Sequence, residues 1–184
     1  MTQGLILIDI QNDYFPAGKM ELVQIDQAAR NASRVLTVFR KNQLPIFHVQ
    51  HISNRPGATF FLPDTPGVDI HASVTPHQGE TLVTKQFPNA FRETELLDLL
   101  NRSGIREIVI CGAMSHMCVD ATVRAGFDLG FQCTVIADAC ATRDLAFSGL
   151  VVEAAKVHAA FMAALSAPYA RVMSAEDFIT QQPD

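Results

Sequence analysis

Hydrophobic residues along the chain fall into two kinds of run. Leu5 to Asp9 is short and continuous, four apolar residues closed by a carboxylate, as expected of a strand buried on both faces. Ile25 to Asn42 instead repeats at Ala28, Ala32, Val35, Leu36 and Phe39, the spacing of a helix, and Pro45 marks its end. Pro45 to Ile52 reads as a second strand and Thr81 to Lys85 as a third. Glu93 to Ser103 predicts a helix with Leu96, Leu97, Leu99 and Leu100 inward, stopped by Gly104. Glu107 to Gly112 is a fourth strand, and a helical pattern runs from about Cys118 to Leu129. Gln132 to Ala137 is a fifth strand, Ser148 to Leu165 an alanine-rich helix, and Ala170 to Met173 a sixth strand. Ser174 and Asp177 resemble a capping box ahead of a last helical turn.

Such alternation predicts an α/β domain, a mostly parallel sheet with helices on both faces. At 184 residues the chain fits one domain spanning 1–184. Hydrophobic content of 48% against 18% charged suits a compact protein. A net charge of −5 with no basic run argues against nucleic acid or an anionic membrane as partner. No apolar stretch approaches the roughly 20 residues that span a bilayer, and no basic segment precedes an apolar run at the N-terminus, so no signal peptide is expected. Cys111, Cys118, Cys133 and Cys140 form no C-x-x-C pair. Reduced thiols in a cytoplasmic protein are the simplest reading.

In open α/β sheets ligands bind beyond the carboxyl ends of the strands. Asp9 closes the first strand, Lys85 closes the third, and Cys118 follows the fourth. A thiol where a turn enters a helix sits near unpaired N–H groups and the positive end of a dipole, which favours the nucleophilic thiolate. Asp9, in an apolar setting, needs a cation, and Lys85 is the candidate. One reading is a catalytic Asp, Lys and Cys set. The other is a structural ion pair beside a buried cysteine. Backbone N–H groups of Met114 and Cys118 are candidates to bind an oxyanion, the other reading being an ordinary strand-to-helix turn. Phe15, Phe60, Phe87, Phe91 and His116 are candidate pocket residues around this edge. The stretch from Ser53 to Gly79, rich in Pro and Gly and holding Phe60, Phe61, Leu62, His71 and His77, predicts a folded lid or pocket wall. No Rossmann G-x-G-x-x-G, P-loop, Gly-x-Ser-x-Gly or His-Glu-x-x-His motif is present.

Several segments in this order carry a resemblance. They are Leu7-Ile8-Asp9-Ile10-Gln11-Asn12-Asp13-Tyr14-Phe15, Pro63 to Gly67, Gly79-Glu80, and Lys85 through Asn89-Ala90-Phe91. Gly112 to Thr122 and Ala137 to Thr142 complete the set. Across nearly its whole length the chain resembles the isochorismatase-like cysteine hydrolases, which include nicotinamidases and N-carbamoylsarcosine amidohydrolases. The resemblance implies a triad of Asp9, Lys85 and Cys118, a three-layer fold around a six-stranded parallel sheet, and a cis peptide between Ala113 and Met114. It also implies a dimer or tetramer, consistent with an Ala-rich helix apolar on more than one side.

The chain departs from part of that family. Nicotinamidases carry an Asp-x-His metal motif after the second strand, and here the region reads His48-Val49-Gln50-His51-Ile52. No metal and no cofactor are therefore expected, although His51, His71 and His77 share one region. Isochorismatases that cleave a vinyl ether generally lack the nucleophilic cysteine, so Cys118 favours a C–N bond. The expected activity is hydrolysis of a small amide or carbamoyl compound through a thioester. The alternatives are vinyl-ether hydrolysis and a non-catalytic binding module.

Overall fold

The computed structural model describes residues 2–182. Six strands form one parallel sheet: β1 (Thr2–Ile8), β2 (Ile46–His51), β3 (Thr81–Lys85), β4 (Ile105–Ala113), β5 (Gln132–Ala141) and β8 (Arg171–Met173). Their order is β3-β2-β1-β4-β5-β8. The chain thus winds outward from β1 in one direction, then returns to β4 and winds the other way. The switch lies between β1 and β4, where a parallel α/β sheet opens a crevice beyond its carboxyl edge.

Alternation along the strands divides the core. Leu5 and Leu7 face α1 (Ile25–Lys41) and α5 (Ala175–Thr180), whose buried residues include Val35, Phe39 and Phe178. Ile6 and Ile8 face the opposite side with α2 (Leu96–Arg102), α3 (Asp120–Asp128) and α4 (Ala154–Leu165), which contribute Leu100, Val123 and Leu165. Strands buried on both faces need apolar residues of both parities, which is why β1 reads as a continuous run. The Ser174 cap forms as expected, its Oγ accepting from Asp177 N at 3.0 Å.

Several boundaries differ from the sequence expectation: β4 runs Ile105–Ala113 and β5 extends to Ala141, and two helices start late. The helix expected from Ser148 begins only at Ala154. Before it lies an antiparallel hairpin, β6 (Leu145–Phe147) and β7 (Leu150–Val152). Ser148 and Gly149 both have positive φ, 50° and 80°, the conformation that closes a two-residue hairpin with the right twist. Asp144 then reaches over the hairpin and accepts the N–H of Ala154 at 2.8 Å. The second late helix is α2, which starts at Leu96 because Glu93 is left-handed, φ 56°.

Glu80 ties the long 52–80 connection to the sheet. Its carboxylate accepts from Arg40 Nε at 2.6 Å and Arg40 Nη2 at 2.9 Å, from His48 Nε2 at 2.7 Å and from His77 N at 2.8 Å. Burial opposes the charge, but these donors, Arg40 foremost, hold the Glu80 carboxyl down at about 2. A carboxyl that titrates lower in the folded than in the unfolded chain adds stability above its unfolded value, and that stability is lost as pH falls from about 4.5 toward 2. Glu80→Gln should therefore destabilise the protein at neutral pH by about 1–3 kcal/mol. It should also flatten the loss of stability across that acid window, as read by urea denaturation at a series of pH values. An unchanged acid slope would remove Glu80 from the account.

Candidate active site

Asp9 follows β1 directly, with φ 52°, a left-handed conformation that Asp tolerates better than most residues. Its N–H donates to Val49 O at 3.0 Å. Gly112 is the register partner of Ile8. It has φ 135°, and a Cβ there would lie 2.0 Å from Ile8 O. Only glycine lets the ends of β1 and β4 approach this closely. Asp9 and Ala113, the next residue in each strand, are thereby brought side by side. The Ala113–Met114 peptide is cis. A single π-type turn, Ser115–Val119, then leads into α3 and carries Cys118. Ser115, fully buried, holds that turn to β5 by donating to Ala141 O at 3.2 Å.

Lys85 ends β3, two strands from β1. Strands are about 4.8 Å apart, so only a long side chain can cross β2 to reach Asp9. Its ammonium lies 2.8 Å from Asp9 Oδ2, and neither side chain has measurable exposure. The same nitrogen donates to Cys118 Sγ at 3.2 Å, to His51 Nδ1 at 2.9 Å and to Phe87 O at 3.1 Å. Three protons meet four neighbours. The contact with Asp9 is the one without aligned hydrogen-bond geometry, an attraction of charges at short range. Neither Asp9 oxygen has an aligned donor among the described residues, and one lies within 4.8 Å of the sulfur. A free carboxylate oxygen beside a thiol is the acceptor that proton transfer requires.

Electrostatics define the resting state. Burial pushes the Cys118 thiol well above its ordinary value, Asp9 adds to the rise, and Lys85 opposes it. The expected pull of the helix terminus toward thiolate is outweighed here, because the sulfur is nearly sealed from water and a carboxylate already occupies its surroundings. Burial opposes the Lys85 ammonium too, but Asp9 and Cys118 more than offset this and raise its pKa. Lys85 therefore rests as the ammonium and Cys118 as the thiol. Cys133 and Cys140 are pushed up to about 12 by burial, and Cys111 is raised as well.

The sulfur faces a cavity of about 390 Å³, within the range of small-molecule sites. Its walls include Tyr14, Phe60, Phe87 and Met117, with His51, Ser53, Asn54, Arg55 and Gln86 as polar members. Of the candidate pocket residues, Phe60 and Phe87 line this cavity. Phe15, Phe91 and His116 are not among the lining residues. Phe15 stacks on His71 at 3.5 Å between ring centroids, and Tyr14 takes the cavity position instead. Phe91 packs on Phe131 beneath the sheet's other face. His116 turns away to Thr142 Oγ1 at 2.6 Å.

Two roles were not legible in the sequence. Gln11, Asn12 and Asp13 latch the long loop to the sheet edge. Gln11 Nε2 donates to His51 O and Val68 O, Asn12 Nδ2 donates to Pro66 O, and Asp13 Oδ2 accepts from Phe61 N at 2.6 Å. A Cβ on Gly67 would lie 2.1 Å from Asp13 Oδ1, which explains the glycine in that loop. The three histidines do not gather. His71 bonds Ser73, His77 is exposed, and only His51 joins the Asp9–Lys85–Cys118 cluster. Asp9, His51 and Cys118 are the one grouping of three metal-type donors among the described residues. The Lys85 ammonium, within 3.2 Å of an atom of each, stands at their centre as the resident cation.

A parallel α/β sheet with Asp, Lys and Cys meeting at its switch point defines a hydrolase of the isochorismatase type. The chain belongs to this family: the Isochorismatase domain model matches residues 3–177. It is 50% identical over 179 residues to YddQ, an uncharacterized isochorismatase family protein of Bacillus subtilis, covering 97% of this chain and 99% of that one. A streptothricin hydrolase of Streptomyces noursei is 32% identical over 78% of this chain and 51% of its own length. A solved structure from Oleispira antarctica, assigned as an isochorismatase hydrolase, superimposes with a TM-score of 0.94 at 48% identity, covering 97% of this chain and 96% of that one. Among the described residues no helix is long and apolar enough to cross a membrane.

Proposed function

We propose that the protein is a cysteine amidohydrolase that cleaves the C–N bond of a small amide or carbamoyl compound. The observation that carries this reading is the position of Lys85 Nζ, in simultaneous contact with the Asp9 carboxylate and the Cys118 sulfur beside the cavity. In this reading Asp9 takes the thiol proton as Sγ attacks the carbonyl carbon. The oxyanion forms against the N–H groups of Met114 and Cys118. Asp9 then gives its proton to the departing ammonia or amine, and the C–N bond breaks to leave a thioester. A water molecule, deprotonated by Asp9, hydrolyses the thioester and returns the thiol. Lys85 keeps the positive charge opposite Asp9 and Cys118 throughout. A neutral resting thiol suits this scheme, because the base beside it acts only as the bond forms. The amide reading also draws on relatives that include the streptothricin hydrolase and a nicotinamidase of Arabidopsis thaliana, 26% identical over 151 residues.

The experiment is an ammonia-release screen of the purified protein over primary amides and ureido acids. Release above the uncatalysed rate from at least one compound is expected, saturating with concentration. A panel with no release by folded protein would count against C–N hydrolysis.

A further inference from the structure

His51 closes β2 and is the register partner of Lys85 on β3. Partners in adjacent strands project from the same face, so the Lys85 stem crosses His51 on its way to Asp9. The ammonium comes to rest 2.9 Å from His51 Nδ1. An ammonium has protons and no lone pair, so Nδ1 must be the acceptor. An imidazolium would bring a second N–H against the ammonium, which this contact does not allow. A neutral ring that accepts at Nδ1 carries its proton on Nε2. Burial and the Lys85 charge support the neutral form, holding the His51 pKa down at about 4.

The backbone of His51 is fixed equally well. Gln11 Oε1 accepts its N–H at 2.8 Å, and Gln11 Nε2 donates to its carbonyl at 2.9 Å. The ring lines the same cavity as Cys118. Its Nε2 has no hydrogen-bond partner among the described residues, yet it is not one of the buried orphan atoms. It is therefore a solvent-reachable donor on a ring that lines the cavity, with its direction set from the other side of the ring.

From this geometry we propose that His51 is locked as the Nε2–H tautomer, orienting the Lys85 ammonium through Nδ1 and donating from Nε2 to the substrate. The substrate class that follows is an amide or carbamoyl compound with a second acceptor, a carbonyl oxygen or ring nitrogen, near the scissile carbonyl. Only this substrate half rests on the amidohydrolase reading. The tautomer follows from the contacts alone. His51 would act as a positioning residue toward Lys85 and as a specificity contact toward the ligand.

The test is nitrogen NMR on protein labelled with ¹⁵N-histidine, with His51 assigned by the signals lost in His51→Asn. At neutral pH His51 should show a protonated Nε2 and an unprotonated, hydrogen-bonded Nδ1. An Nδ1–H tautomer, a cation or an average of two tautomers would overturn the proposal. A second arm uses two adducts of Cys118. Iodoacetamide leaves a carbonyl acceptor in the cavity, whereas methyl methanethiosulfonate leaves a methylthio group with none. The Nε2 resonance should shift with the first adduct and hold its position with the second. Equal shifts, or none, would overturn the substrate half. No turnover is measured in either arm. An empty amide screen would thus defeat the hydrolase reading while leaving the His51 tautomer decided on its own signals.

Discussion

Cys118→Ala should lower hydrolysis of the best amide in the screen by about 10⁴-fold or more, the scale seen when a covalent nucleophile is removed. In the proposed mechanism the sulfur is the atom that bonds to the carbonyl, and no neighbouring group is placed to substitute for it. Ser115 is turned toward Ala141 O and His158 Nδ1, and Cys111, Cys133 and Cys140 are buried apart from this cavity. Because the replacement removes one buried atom, the variant should fold, and an unchanged circular dichroism spectrum checks that. Retention of activity would exclude the thioester route. It would also revive hydrolysis of an enol ether by Asp9 and Lys85, for which the sulfur is not needed.

Lys85→Met should have the second largest effect, reaching stability as well as the proposed catalysis. Methionine nearly matches the stem but removes the charge, leaving the Asp9 carboxylate buried without compensation. Breaking one side of a buried ion pair in this way costs about 3–5 kcal/mol. The midpoint of urea denaturation should fall accordingly at neutral pH. Amide hydrolysis should fall by about 10²–10⁴-fold, since Asp9 no longer works against a fixed positive charge. A loss of stability below about 1 kcal/mol, the scale of an exposed pair, would contradict the burial and charge assigned to this contact. Asp9→Asn together with Lys85→Met should recover part of the stability and none of the activity, separating the two roles.

The cluster of Asp9, Lys85 and Cys118 was legible because Asp9 and Lys85 close strands and Cys118 lies in the turn after one. Asp9, Lys85 and Cys118 mark the carboxyl edge of β1, β3 and β4, and strand patterning alone assigns them to one rim. What lies between the strands was harder to see. The turn Asn12–Tyr14 breaks the two-residue period after β1, so Tyr14 replaces Phe15 at the cavity. Gln11 and His51 are 40 positions apart, and their pairing depends on the register of β1 against β2, which no local pattern encodes. His51 reads as an isolated histidine until β2 and β3 are aligned and Lys85 proves to be its partner. The hairpin ahead of α4 was concealed by composition. Leu150, Val151 and Val152 suit a helix or a strand, and the deciding signal was Ser148-Gly149, a pair that accepts positive φ. Phe147, Leu150 and Val151 are left exposed by that hairpin.

The central claim is a bond between the Cys118 sulfur and the acyl half of the substrate. Intact-protein mass spectrometry of an acid-quenched reaction, followed by peptide mapping, tests it directly. The account predicts a population heavier by the acyl group, with the added mass on the peptide that contains Cys118 and absent from Cys118→Ala. Full turnover with no adduct on that peptide, together with undiminished activity in Cys118→Ala, would contradict it.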